Sequence, residues 1–229
     1  MTTAVTETEA EFIADGGVGW SRQGMAHRVA REIAPGSYVN LGMGMPLLVA
    51  NHIPYEAEVF LHSENGILGL GPGADEGHRD PDLVDAGKGW ATLRTGASTF
   101  DSSMSFCIVR GGRLSLAILG GMQVAVNRDL ANWTAPGRTP GVGGAMDLVA
   151  GCKATWVMQA HQGKDGASKL KLECTLPLTG RDVVDRVFTD LGVFEPTGDA
   201  FRVIELAPNV SREIVARATD APLEWKDAE

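Results

Sequence analysis

The sequence predicts an α/β fold: an open, largely parallel sheet flanked by helices, with antiparallel additions late in the chain. Three observations predict it. Short apolar runs of strand length recur from Tyr38 onward and alternate with glycine-rich loops and helical stretches, the order that builds a parallel sheet. Glycine accounts for 29 of 229 residues, about twice the usual share of roughly 7%, and is scattered without a period, which implies tight turns and close backbone approaches. The hydrophobic fraction is 44% and the mean hydropathy is −0.03. That is an ordinary globular composition in a chain long enough to bury a substantial core. One domain over residues 21–229 is the simplest division. Residues 1–20 are acidic and lack the apolar centre of a signal peptide; they are expected to be a disordered tail.

Each element has its own signal. Ser21 is a plausible helix N-cap, and Met25, Val29 and Ile33 repeat at a spacing of four until Pro35-Gly36 stops the run. Tyr38–Leu41 reads as a buried strand, and Pro46 suits the first turn of a helix through Asn51. Glu58–His62 is the next strand. Gly66–Asp82, rich in Gly, Pro and acidic residues, reads as a long ordered loop. Trp90–Thr95 is a strand, Ser102–Val109 a helix or buried segment, and Leu114–Leu119 a strongly apolar strand. Turns fill Asn127–Gly144. A short helix at Ala145–Ala150 and a strand at Ala154–Met158 follow. Strand-like runs then cover Lys169–Leu176, Val184–Phe194 and Phe201–Leu206, before a helix near Ser211–Arg217.

Charge and cysteine content narrow the function. The formal net charge is −9 and no Lys/Arg cluster stands out, so a nucleic-acid footprint is missing. An anionic substrate would need backbone N–H groups or a placed lysine to offset that field. Cys107, Cys152 and Cys174 are odd in number and unevenly spaced, which suits buried free thiols in a reducing cytoplasm rather than a disulfide framework or a zinc site. No apolar run approaches a membrane span. The five histidines lack the spacing of a metal pair.

Two strings carry chemistry. Gly42-Met43-Gly44 lies between a strand and a helix, where phosphate-binding loops sit, but Leu47 occupies the third glycine position of the dinucleotide fingerprint and no Walker pattern occurs. The sharper string is Leu61-His62-Ser63-Glu64-Asn65-Gly66. An apolar strand runs straight into a carboxylate, and ligands of open α/β sheets bind beyond the carboxyl ends of strands. Glu64 could there be a nucleophile, a base or a metal ligand; the plain alternative is a surface Glu before an Asn-Gly turn. Ser63 beside His62 is no dyad, because neighbours on a strand point to opposite faces. Lys88, in Asp85-Ala86-Gly87-Lys88, is the one lysine in a glycine context near this string; its plain alternative is a solvated turn residue.

These strings, taken with Tyr38–Pro46, Asp129–Trp133, Gly141–Leu148 and Cys174–Gly180 in that order, resemble the B (beta) subunit of class I CoA-transferases over Ser21 to Leu206. The resemblance is closest to subunits that act on 3-oxoadipate or acetoacetate with succinyl-CoA. It implies that Glu64 is a nucleophile in a ping-pong exchange through a glutamyl-CoA thioester. Backbone donors around Gly143, Gly144 and Ala145 would serve the oxyanions, another donor coming from an A (alpha) subunit. Asn40, Gly42, Gly44, Asn65, Gly66 and Lys88 would bind CoA or support the site. No metal and no tightly bound cofactor is implied, CoA being a substrate, and the expected assembly is a cytoplasmic A2B2 heterotetramer. The segment Met158–Gln162, Trp90 and Cys107 depart from the family's usual pattern and bear on substrate identity. Two other readings are an acyl-CoA hydrolase on the same scaffold and a non-catalytic CoA-binding subunit. The expected acceptor is 3-oxoadipate ahead of acetoacetate: Gly96-Ala97-Ser98 and Gly120-Gly121 would leave room for the longer chain, and Arg110 or Arg128 would pair with its second carboxylate.

Overall fold

A computed structural model describes residues 11–137 and 139–225. Ten strands form one large sheet. Its centre is parallel: β10 (Arg186–Thr189), β8 (Thr155–Met158), β5 (Leu116–Gly120), β1 (Tyr38–Leu41) and β2 (Phe60–Ser63) all run the same way. These strands hold the most apolar runs of the chain. Val39, Leu41, Leu61, Ala117, Ile118 and Val157 are all buried, as expected of strands covered on both faces. Antiparallel strands extend both edges. β11 (Gly192–Pro196) and β12 (Phe201–Leu206) do so late in the chain, with β13 (Leu223–Trp225) parallel to β12. β3 (Ile67–Gly73) and β4 (Ala91–Thr99) do so at the other edge. The full order is β13-β12-β11-β10-β8-β5-β1-β2-β3-β4. A small sheet of β6 (Gln123–Ala125), β7 (Leu130–Ala131) and β9 (Leu170–Lys171) stands apart. Among the described residues no helix is long and apolar enough to cross a membrane.

The helices follow their caps. Ser21 Oγ accepts from Gly24 N–H at 3.0 Å and starts α1 (Arg22–Ala30); Asp101 accepts from Met104 N–H and starts α2 (Ser102–Arg110). The third helix, α3 (Ala145–Gly151), packs against α2, and α4 (Arg212–Ala218) starts at Ser211. The segment opened by Pro46 is 3₁₀ rather than α, over Met45–His52.

Several expectations need correction. The loop expected at Gly66–Asp82 contains β3. Its glycines pair closely with β4 instead of breaking the strand: at Gly69 and Gly71 a Cβ would collide with Ala97 and Thr92, and the ladder shifts register there. The run Val184–Phe194 is a hairpin rather than one strand, turned where Thr189 Oγ1 accepts from the N–H groups of Leu191 and Gly192. Of Lys169–Leu176 only Leu170–Lys171 pairs. In the segment expected to be a disordered tail, residues 1–10 lie outside the described residues. Of residues 11–20, Phe12 stacks on His27 at 4.3 Å and Trp20 is buried, while residues 15–18 are exposed. All three cysteines are free, but Cys107 is exposed on α2, whereas burial pushes Cys152 and Cys174 up to about 12.

Candidate active site

The chain leaves β1, runs out to β2 on one side, and later returns to place β5 on the other side of β1. The strand order therefore reverses between β1 and β5, and in an open α/β sheet a crevice opens at the carboxyl ends of such a pair. A cleft of about 250 Å³ occupies this position. Its walls are Gly42 and Met43 beyond β1, Leu119–Met122 at the end of β5, and Glu64, Asn132, Gly141–Ala145 and Leu148.

Glu64 is the first residue after β2, at the start of a tight turn into β3. Gly66 closes that turn, its N–H donating to Ser63 O at 2.9 Å. Gly66 has a φ of +116° and a Cβ there would strike Phe100 O, so only glycine fits. The turn points a half-buried carboxylate into the cleft. Burial raises its pKa above the ordinary carboxylate value. A hydrogen bond from Gly144 N–H opposes that rise, and the negative charge of Asp147 adds to it.

Both neighbours of Glu64 hold the lysine loop. Ser63 Oγ accepts from Ala86 N–H at 2.9 Å and Asn65 Nδ2 donates to Val84 O at 2.8 Å. Behind the strand end lies a buried polar cluster. Asn40 Nδ2 lies 3.0 Å from His62 Nδ1, and Ser105 Oγ lies 3.1 Å from His62 Nε2. Asn40 Nδ2 also donates to His62 O, which fixes the amide's orientation. Nδ1 must then accept, so Nε2 carries the proton and donates to Ser105. Burial lowers the His62 pKa to about 4, and the ring is neutral near pH 7. This cluster locks β1, β2 and α2 together directly under Glu64.

Of the residues expected to react, donate or bind CoA, Glu64, Gly42, Gly143, Gly144 and Ala145 line one cleft. Asn40 is fully buried and reaches His62 rather than the cleft. Asn65 is exposed and tethers the lysine loop; Gly66 closes the turn; Gly44, with φ +88°, ends the loop after β1. Lys88 is exposed in the 85–89 turn with a φ of +65°, beside the cleft rather than in its wall. Gly87 in that turn abuts Leu47 and Met43.

The expected carboxylate partners fare differently. Arg128 pairs with Asp182 and Asp185, and Asp185 also accepts from Thr155 N–H at the start of β8. That places Arg128 at the opposite end of the parallel sheet, so it cannot reach a ligand on Glu64. Arg110 pairs with Asp147 at 2.7 Å and is exposed. Gly120 and Gly121 line the cleft, whereas Gly96 and Ala97 line a separate groove with Tyr55, Phe60 and Arg94.

Sequence reasoning missed Asn132, Phe106 and Asp147 as parts of this site. Asn132 is braced by Gly120 O and Thr179, and its signal was its place in the Asp129–Trp133 string. Phe106 had no local signal, since its ring approaches Gly144 only after α2 and α3 pack. Asp147 bears directly on Glu64. In an Asp147→Asn variant we expect the Glu64 carboxyl to titrate at lower pH, because removing a nearby negative charge favours its ionised form. Carbon NMR of glutamate-labelled protein measures this. An unchanged midpoint would assign the rise to burial alone.

Comparison with known proteins places this geometry. Residues 22–218 match the model of the coenzyme A transferase family. The chain is 49% identical over 205 residues to the B subunit of 3-oxoadipate CoA-transferase of Pseudomonas putida, covering 89% of this chain and 96% of that protein. It is 51% identical to the B subunit of a probable succinyl-CoA:3-ketoacid coenzyme A transferase of Bacillus subtilis, covering 88% and 94%. The fold is similar to the acyl-CoA transferase YdiF of Escherichia coli O157:H7, with a TM-score of 0.69 at 20% identity over 90% of this chain. The chain spans only 43% of the length of YdiF. The residues that build the Glu64 cleft lie within the matched span, and the chain belongs to the coenzyme A transferase family.

Proposed function

We propose that the chain is the B subunit of a CoA-transferase that moves CoA from succinyl-CoA to a 3-oxo acid, through covalent intermediates on Glu64. The observation that carries the reading is the state of that carboxylate: at a strand end, half-buried, hydrogen-bonded by Gly144, with its pKa raised by lost hydration. A hydrated carboxylate is a poor nucleophile, and a partly dehydrated one is better suited to attack.

The reaction then balances without moving a proton. A Glu64 oxygen attacks the thioester carbonyl carbon of succinyl-CoA; the C–S bond breaks and CoA leaves as thiolate, giving a succinyl–glutamyl anhydride. The thiolate attacks the Glu64 carbonyl carbon; the C–O bond breaks, succinate leaves as carboxylate, and Glu64 carries CoA as a thioester. The 3-oxo acid carboxylate attacks that thioester, and the released thiolate takes the new acyl group from Glu64. No general base is required, in keeping with a neutral His62 that is wholly used in packing. When the thiolate attacks Glu64, the oxyanion forms on Glu64's own oxygen, and Gly144 N–H already lies against that carboxyl group. A preplaced donor of this kind is worth about 3–4 kcal/mol.

The names of the relatives, a B subunit in each case, support an A-type partner that completes the site, and we place two of each chain in the assembly. Among acceptors we place 3-oxoadipate ahead of acetoacetate. Gly120 and Gly121 in the cleft wall favour a longer acyl chain, and of the two arginines Arg110 is the one near the cleft.

The test is to mix the chain with its A-type partner and succinyl-CoA and then add borohydride. A glutamyl thioester should be reduced at Glu64, with the change mapped by mass spectrometry, and the chain without its partner should be nearly inactive. A label on another residue would remove Glu64 from the covalent role. Strong transfer by the single chain would remove the partner.

A further inference from the structure

Gln159 directly follows β8. Met158 pairs with Gly120 across to β5, so Gln159 comes level with Gly121, a wall residue of the Glu64 cleft. Its backbone N–H donates to Phe188 O at 3.0 Å and extends the sheet. Its side chain is 1% exposed, yet neither Oε1 nor Nε2 has a hydrogen-bond partner among the described residues. The other cleft amide, Asn132, is fully engaged: Nδ2 donates to Gly120 O and Oδ1 accepts from Thr179. Burying an amide with neither end satisfied costs stability, and an unbranched apolar residue such as Met would fill the same space without that cost. The direction of the amide is equally specific. A Cβ on Gly121 would fall on Gln159 Oε1 and within 2.7 Å of Val157 Cγ1. The amide therefore occupies the side-chain space of residue 121 and lies directly against the cleft wall, with no side chain at 121 to block it.

We propose that Gln159 is a specificity-determining residue of this site: no partner holds its amide either way round, so with the acid bound it turns to bring Nε2–H, in place of Oε1, to Gly121 and donates to the 3-oxo oxygen of the acyl group. The inference rests on the transferase reading above. A 3-oxo acid carries a hydrogen-bond acceptor three bonds from the reacting carboxyl carbon, and the matching unsubstituted acid carries none there. A buried amide left unpaired by the wrong acid selects against it, which is the strongest form of discrimination a small pocket can make.

The test uses the complex with its A-type partner and succinyl-CoA as donor. We would measure kcat/KM for acetoacetate and for butyrate, which differ in the oxo oxygen, in wild type, Gln159→Met and Gly121→Ala, together with the melting temperature of each. Gln159→Met should lower the acetoacetate-to-butyrate ratio by about 10- to 100-fold, with an unchanged or higher melting temperature. Gly121→Ala, whose methyl displaces the amide, should lower the same ratio even if Gln159→Met folds poorly. An active enzyme whose ratio is unchanged in both variants, or equal losses on both acids, would overturn the role of Gln159 and leave Glu64 in place. A wild-type complex that transfers CoA to neither of these acids nor to 3-oxoadipate would overturn the transferase reading, and this inference with it; one that takes 3-oxoadipate alone is judged in the same way on its 3-oxoadipate-to-adipate ratio.

Discussion

In a Glu64→Gln variant of the assembled enzyme, CoA transfer from succinyl-CoA should fall on the order of 10⁴-fold or more, the scale of losing a covalent nucleophile, while thermal stability holds or rises. The two halves of this expectation have one physical cause. Burial and Asp147 both disfavour the charged form of Glu64, and only the Gly144 N–H bond favours it. Ionising this carboxylate in the folded chain therefore carries a cost that an isosteric amide avoids. The amide keeps the shape of the turn and can still accept from Gly144, so the fold has no reason to suffer. A neutral amide has no carboxylate oxygen to attack the thioester and forms no anhydride, so the chemistry has. Steady-state kinetics and a thermal melt on the same preparation check both. Retained turnover would exclude Glu64 as nucleophile. A large loss of stability would mean that the carboxylate is a structural anchor instead.

How much of this was legible in the sequence depends on the range of the interaction. The parallel strands were readable because each is a local apolar run, and α1 because Ser21 and a spacing of four mark it locally. Glu64 was readable because strand, carboxylate and turn are contiguous. The strand β3 was hidden because its glycines usually signal a loop, and only pairing with β4 shows that they accommodate close backbones. Gln123–Ala125 and Leu223–Trp225 are strands of three residues, too short for an alternation pattern to mark them. Arg128 was misplaced because its partners lie far along the chain: a cation in sequence near a glycine-rich block turned out to face Asp182 and Asp185 at the far end of the sheet.

His62 shows the converse. It stands next to Glu64 in sequence, and alternation along a strand correctly removes it from the reactive face. What the sequence could not show is that Asn40 and Ser105 would converge on its two ring nitrogens. Asn40, expected at the ligand or in its support, reaches His62 from the neighbouring strand. Its contribution to Glu64 therefore passes through the rigidity of two strand ends.

Gly144→Ala should reduce turnover by about 10²–10³-fold, as loss of one oxyanion donor does. Gly144 has φ −91° and ψ 2°, the second central position of a type I turn, which most residues accept, so a left-handed backbone is not the cause. The cause is proximity. A Cβ at 144 would lie 2.5 Å from Glu64 Oε2 and 2.8 and 2.9 Å from two ring carbons of Phe106. The methyl must push the carboxylate away from the Gly144 N–H, displace the ring, or move the start of α3, and each path shifts the Glu64 carboxylate relative to that N–H. Gly143→Ala is the matched control with the opposite physics. Position 143 has φ +52°, costly for alanine by about 1–2 kcal/mol, but nothing lies within 4 Å of its Cβ. It should lower the melting temperature and keep most of the turnover. Measuring kcat and melting temperature for both variants separates crowding of Glu64 from strain in the loop. If Gly143→Ala loses more turnover than Gly144→Ala, loop conformation rather than the contact with Glu64 sets the rate.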